Sequence, residues 1–219
     1  MNRYPFIAIE GLDGTGKTTL RKGLFRLFQG LAGTTPLPVL TTNYLVPEFA
    51  GDLIRGKYHP DETNRDTYLR ALGADKKATT TRLVLPSLPH RPVIVDRWLL
   101  SEMAFFSVKH GQAPGTTYAA LADACPLSPD LTLILDIEPE AALRRTAVRE
   151  GDSTRADWDS LDVQTRIRRI YQDTATKADL YPQLGPITVI NADTDRADIL
   201  HQAWTALDEH GLTNKIGAC

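Results

Sequence analysis

The sequence predicts an α/β fold, because short apolar segments alternate along the chain with longer segments of helical periodicity. Most of the short segments are rich in β-branched residues and are followed by a polar residue, as expected where buried strands leave a sheet. Five segments meet this description and are predicted to form one parallel sheet flanked by helices: residues 6–9, 39–42, 93–96, 131–136 and 187–191.

Polar residues come directly after these predicted strands. Ligands of open α/β sheets bind beyond the carboxyl ends of the strands. The segments that would lie there are residues 11–18, 96–97, 136 and 191–193. The sequence therefore predicts the active site at this edge of the sheet.

Two long connections are predicted to be mostly helical. Residues 51–88 are interrupted near Pro60 and Asn64 and could form a wall for a substrate. In the second connection, residues 149–159 (REGDSTRADWD) break the apolar period with charged and small residues, which suggests a lid; the alternative is a plain solvated loop. The whole chain, residues 1–219, is predicted to be a single domain.

Composition restricts the partners and the compartment. Lys and Arg number 25 against 27 Asp and Glu, so no overall basic field predicts a nucleic acid polymer as partner. Cys125 and Cys219 are too few for a disulfide framework and lack the spacing of zinc ligands, which suits a cytoplasmic protein. No apolar run approaches the roughly 20 residues of a membrane span, so we expect no membrane association.

Residues 11–18 (GLDGTGKT) match every fixed position of the phosphate-binding pattern G-x-x-x-x-G-K-[ST]. The match follows a predicted buried strand and opens an amphipathic helix, as a P-loop requires. We expect Lys17 to reach the β- and γ-phosphates of ATP and the Thr18 hydroxyl to bind Mg²⁺. This predicts a three-layer P-loop NTPase fold whose ATP-phosphate-binding residues are Asp13, Gly14, Thr15, Gly16, Lys17, Thr18 and Thr19.

Asp96 and Arg97 end the third predicted strand, opposite the loop. A carboxylate at this place could bind Mg²⁺ directly or through water. The Arg97 guanidinium could bind the phosphate of an acceptor as a fork. A strand-end ion pair without a catalytic part is the alternative.

Three blocks in this order resemble the thymidylate kinases over nearly the whole chain: FIAIEGLDGTGKTTL at 6–20, VDRWLLSEMAF at 95–105 and PDLTLILDIEPEAALRR at 129–145. The resemblance implies a homodimeric kinase that uses MgATP to convert dTMP into dTDP. It implies catalytic roles for Lys17, Asp96, Arg97 and the lid residue Arg155, with Arg149 as a second lid candidate. Asp13 stands at the acidic position of the family's loop and joins Thr18 and Asp96 as a predicted Mg²⁺ ligand.

The acceptor side departs from the family's pattern. Around Pro47 the usual neighbouring arginine is missing, Lys76 replaces an arginine that reads the pyrimidine, and Phe105 replaces a tyrosine. The acceptor-binding residues implied by the resemblance are Glu48, Phe49, Arg55, Lys76, Arg97, Ser101 and Phe105. The departures leave open a kinase for another pyrimidine nucleotide, a nucleoside or a specialised metabolite, and also a non-catalytic ATP-binding regulator.

Overall fold

Five parallel strands form the centre of the structure, a computed structural model that describes residues 3–40, 44–62, 64–150 and 160–217. Their order across the sheet is β2-β3-β1-β4-β5, and their bounds are β1 Phe6–Gly11, β2 Leu37–Leu40, β3 Val93–Asp96, β4 Leu131–Asp136 and β5 Ile187–Asn191. All five predicted strands are confirmed. The predicted α/β class with a five-stranded parallel sheet is therefore correct.

Two strand boundaries differ from the prediction. β1 continues two residues further, because Glu10 pairs with Ile134 and Gly11 with Leu135 of β4. β2 begins two residues earlier, where Pro38 is tolerated because an edge strand can spare one N–H donor. Its predicted end at residues 41–42 lies outside the described residues.

Helices connect the strands in sequence. Their bounds are α1 Lys17–Ala32, α2 Pro47–Tyr58, α3 Arg65–Thr79, α4 Leu85–Ser87, α5 Leu99–His110, α6 Pro114–Ala122, α7 Pro139–Glu150, α8 Leu161–Thr176, α9 Arg196–Glu209 and α10 Leu212–Gly217. The interruption predicted near Pro60 and Asn64 lies between α2 and α3, where the Asn64 side chain caps α3 by accepting a hydrogen bond from the Thr67 N–H at 2.8 Å.

The helices form two layers around the sheet. α1 packs on β1 and β3 and contacts α9 and α10, whereas α5 packs on β1 and contacts α6 and α8. The central strand β1 lies between β3 and β4, so the connection that leaves its carboxyl end enters the crevice between them. This is where residues 11–18 are held.

Candidate active site

The phosphate loop opens onto a cavity of about 1480 Å³. Residues 13–21 line one side of it, and Asp96 and Arg97 reach it from the end of β3. All seven residues predicted to bind the ATP phosphates are among the lining residues. A cavity of this size at the carboxyl edge of the sheet can hold a nucleoside triphosphate.

Two glycines give the loop its shape. Gly14 has φ 84°, and a Cβ there would lie 2.2 Å from the Ala142 carbonyl oxygen, so no other residue fits against α7. Gly16 has φ 97° and caps α1 without a side-chain hydrogen bond. The N–H groups of the first turn of α1 therefore face the cavity as an anion site.

Lys17 is the cation of the loop and is almost completely buried. Its Nζ donates to the Leu12 carbonyl oxygen at 2.6 Å and lies 3.8 Å from Asp13 Oδ1. Burial and the charge of Arg97 lower the pKa of Lys17 to about 7, although Asp13 opposes the shift. Because burial and Arg97 disfavour the charged form of Lys17, phosphate oxygens bound next to it would stabilise the ammonium.

The Asp96 carboxylate lies beside the start of α1. The Thr18 hydroxyl is 3.5 Å from Asp96 Oδ2, and Arg21 Nε is 3.5 Å from the same oxygen. A hydroxyl and a carboxylate oxygen this close are the hard oxygen ligands that Mg²⁺ prefers. The described residues at this position therefore fit a Mg²⁺ ion bound together with nucleotide oxygens.

Arg97 connects the end of β3 to the phosphate loop. Its Nη1 donates to the Gly11 carbonyl oxygen at 2.9 Å, and its Nη2 donates to Asp13 Oδ1 at 2.5 Å. The guanidinium carbon lies 4.9 Å from the centre of the Phe105 ring, a cation–π contact. Arg97 itself has φ 69°, a left-handed conformation rare for a residue with a side chain.

Lys76 forms an ion pair inside the protein. Its Nζ lies 2.7 Å from Glu102 Oε1 and 5.1 Å from the centre of the Trp98 ring. Burial lowers the pKa of Lys76, but the charge of Glu102 and its hydrogen bond outweigh that effect, so the pKa is raised overall and the ammonium stays charged. Next to it, the Asp75 carboxylate accepts a hydrogen bond from the Leu45 N–H at 2.7 Å.

The thymidylate kinase family model matches residues 9–182, which include the loop, the Asp96–Arg97 site and α8. The chain belongs to the thymidylate kinase family. It is 30% identical over 193 residues to the thymidylate kinase of Jannaschia sp. (strain CCS1), covering 87% of this chain and 90% of the relative. It is 26% identical over 215 residues to a probable thymidylate kinase of Pyrococcus horikoshii, covering 94% and 97%.

Other acceptor residues predicted from the thymidylate kinase pattern lie apart from the cavity lining. Glu48 is exposed in the first turn of α2, Phe49 is half-buried against the core, and Arg55 pairs with Asp52 at 2.5 Å. All three lie on α2, and none of them is among the residues that line the cavity around Lys17.

Three aromatic residues at the start of α5 and within it, Trp98, Phe105 and Phe106, have different surroundings. Trp98 is buried and meets Phe6 edge to face, with ring centres 5.6 Å apart. Phe106 is buried against Tyr68, with ring centres 5.7 Å apart. Both are core residues, whereas the half-buried Phe105 lies against the Arg97 guanidinium.

Part of the predicted lid of this thymidylate kinase family member lies outside the described residues. This holds for residues 151–159, which include Arg155, and for the side chain of Arg149. The same is true of residues 41–43, which precede α2.

Two arginines of the cavity were not predicted from the sequence. Arg144 and Arg145 of α7 line the cavity, and Arg145 Nη1 donates to the Ala192 carbonyl oxygen at 2.9 Å. The signal was the basic pair on the helix that follows β4. Asp136, in contrast, ends β4 as predicted but is held by the Arg168 guanidinium at 2.8 and 2.9 Å, and it is not among the lining residues.

The ion pair between the buried Lys76 and the partly buried Glu102 leads to a stability prediction. Lys76→Met leaves the Glu102 carboxylate without its ammonium partner and should lower the free energy of unfolding by about 2–4 kcal/mol. Lys76→Met with Glu102→Leu should recover at least half of this loss. Chemical denaturation measures the free energy of unfolding of the single and the double variant. Lys77→Met, on the exposed side of α3, is the control. A double variant as unstable as the single one contradicts the coupling.

Proposed function

We propose that this chain transfers the γ-phosphoryl group of ATP to dTMP, giving dTDP and ADP. Family membership and the names of the relatives support the reaction. The observation that carries it is the contact of Arg97 with Asp13, because it puts a cation suited to an acceptor phosphate against the loop suited to the donor. Donor and acceptor phosphates would then meet in one cavity.

The reaction needs positioning and charge neutralisation more than acid–base chemistry. The acceptor is an ionised phosphate, so no general base is required to activate it. Lys17 would bind the β- and γ-phosphate oxygens, and Arg97 would orient the attacking phosphate. We further propose that Arg155, with Arg149 as the second candidate, supplies charge from a lid over residues 149–159.

Mg²⁺ is part of the proposal. Thr18 and Asp96 would hold the ion together with nucleotide oxygens, and Asp13 stays a third predicted ligand. When bound, the ion would neutralise charge on the β- and γ-phosphates. Arg21 lies close to the same carboxylate and would help to balance its charge.

The low pKa of Lys17 predicts a pH-dependent affinity for ATP. In the free protein Lys17 loses its proton near pH 7, whereas bound phosphates would stabilise the ammonium and raise its pKa. Binding above pH 7 should therefore take up a proton, and affinity should fall by up to about tenfold per pH unit. Calorimetry with MgATP in two buffers of different ionisation enthalpy measures this uptake. A flat affinity between about pH 7 and about pH 9 contradicts the prediction.

We also propose that the acceptor nucleotide binds between α2 and α5. Glu48, Phe49 and Arg55 of α2 would face Ser101 and Phe105 of α5, and Lys76 would contribute beneath the base. Purified protein should release ADP from ATP with dTMP well above its basal hydrolysis, and much less with thymidine or purine monophosphates. If no acceptor raises ADP release above the basal rate, the proposal is wrong.

We also propose a single kinase domain over residues 1–219 that acts in the cytoplasm as a homodimer. Cys125, a free and buried cysteine, supports a reducing compartment, and burial raises the pKa of its thiol to about 11. Within the described ranges, no helix combines the length and apolar character needed to cross a membrane. Analytical ultracentrifugation tests the dimer.

A further inference from the structure

We infer that Glu10 is a positioning residue that holds Arg97 in the conformation needed to bind the acceptor phosphate. This inference rests on the proposed function, because it assigns Arg97 to the acceptor. Glu10 is a carboxylate inside the central strand β1, completely buried and one residue before the phosphate loop. A carboxylate at such a place must be paired or fully hydrogen-bonded.

The side chain of Glu10 accepts its hydrogen bonds from the start of α5. Its Oε1 accepts from the Trp98 N–H at 2.9 Å and from the Ser101 N–H at 3.2 Å, and its Oε2 accepts from the Ser101 hydroxyl. Trp98 is the residue that caps α5, and its own side chain makes no capping hydrogen bond. Glu10 of β1 therefore accepts the hydrogen bonds that a side chain at the start of the helix usually accepts.

This cap fixes the peptide group that follows Arg97, and the backbone of β1 fixes the one that precedes it. The Arg97 N–H donates to the Ile9 carbonyl oxygen at 2.9 Å, and the next N–H, that of Trp98, donates to Glu10. Neighbouring residues of β1 thus hold the two peptide groups that flank the left-handed Arg97. Such a conformation costs about 1–3 kcal/mol and persists only where its surroundings enforce it.

The same carboxylate also orders the Arg97 side chain. Ser101 Oγ donates to Glu10 and accepts from Arg97 Nη1 at 3.2 Å. Tyr171 of α8 closes the network, with its hydroxyl 3.0 Å from Ser101 Oγ and 3.5 Å from Arg97 Nη1. Glu10 therefore reaches Arg97 by two routes, through the backbone of α5 and through Ser101.

If Glu10 is removed, two buried N–H groups lose their acceptor and the first turn of α5 can relax. Arg97 would then leave the left-handed region, and its guanidinium would move away from Asp13. The backbone of the phosphate loop would keep its conformation, because Gly14 and Gly16 set it. The acceptor step should suffer far more than nucleotide binding.

The test compares Glu10→Ala, Glu10→Gln and a control, Thr132→Val, each assayed well below its own melting temperature. Thr132 is equally buried in β4 and donates to the Leu184 carbonyl oxygen at 2.6 Å, outside this network. For Glu10→Ala we expect kcat/KM for dTMP to fall about 100-fold or more, with the Kd of ATP changed by less than about threefold. Glu10→Gln keeps an acceptor for Trp98 and Ser101 and should retain at least about one tenth of wild-type kcat/KM. Thr132→Val should lose stability only.

Further outcomes separate the inference from the proposed function. If Glu10→Ala does not fold, a cycle of Glu10→Gln with Arg97→Lys decides: additive losses in kcat/KM overturn the inference, and strongly non-additive losses support it. The inference is also overturned if the wild type is active and Glu10→Ala has an unchanged kcat/KM for dTMP. It is overturned as well if Glu10→Ala loses ATP affinity to the same extent as kcat/KM for dTMP. Wild type that neither binds nor phosphorylates dTMP overturns the proposed function, and the inference with it.

Discussion

Lys17→Met should lower kcat by about 1000-fold or more while raising the melting temperature. The loss of activity follows because no other residue of the loop carries a positive charge to the transferred phosphoryl group. The gain in stability follows because burial lowers the pKa of Lys17 to about 7. Between pH 7 and the ordinary lysine pKa, the unfolded chain binds a proton that the folded chain does not, and this proton favours unfolding.

Methionine fills a similar volume without a charge. It lacks the hydrogen bond to the Leu12 carbonyl oxygen, which is worth about 1 kcal/mol, but it removes the larger cost of giving up, on folding, the proton that lysine binds in the unfolded chain. At about pH 8 we expect a melting temperature about 2–6 °C above wild type by differential scanning calorimetry. Lys22→Met, on the exposed side of α1, is the matched control and should change neither quantity. A destabilised Lys17→Met protein contradicts this reasoning.

Arg97→Lys should lower kcat/KM for dTMP about 100-fold or more, with little change in ATP affinity. The guanidinium donates at the same time to the Gly11 carbonyl oxygen, to Asp13 and to Ser101, and its central carbon lies 4.9 Å from the centre of the Phe105 ring. A single ammonium cannot satisfy this set and also bind an acceptor phosphate.

Steady-state kinetics with dTMP varied at saturating ATP measures the effect. Arg91→Lys, an exposed substitution just before β3, controls for the change of residue type. If Arg97→Lys keeps a kcat/KM within about threefold of wild type, Arg97 does not bind the acceptor as proposed.

The sequence sufficed for the features that depend on local pattern. The five strands follow from apolar runs, the phosphate loop from a fixed spacing, and the meeting of Lys17, Asp96 and Arg97 from the rule that parallel strands end at one edge. The left-handed conformation of Arg97 could not be predicted, because arginine rarely adopts it and no local residue signals it.

Partners far apart in sequence also escaped prediction. Glu10 and Ser101 are 91 residues apart, and their contact exists only once β1 and α5 have packed together. A signal for Glu10 was nevertheless present, since an acidic residue at the end of an apolar strand requires a buried partner. Tyr171 gave no comparable signal, because an aromatic residue on the inner face of a helix is usually only a core residue.

The immediate partners of Lys76 could not be predicted from the resemblance. Its position suggested a contact with the pyrimidine, which stays a prediction, and the structure places its ammonium against Glu102, over the Trp98 ring. Whether a residue type faces a ligand or a neighbour depends on the side chains of other helices, here α5. A pattern of positions in one helix does not contain that information.

The most direct test of the central claim is to follow the γ-phosphoryl group itself. Purified protein is incubated with γ-labelled ATP, Mg²⁺ and dTMP, beside Lys17→Met, and the products are separated by chromatography. We predict that the label moves from ATP into dTDP, that thymidine accepts none, and that Lys17→Met transfers almost none. Label released only as inorganic phosphate, at a rate independent of dTMP, would contradict the assignment as a dTMP kinase.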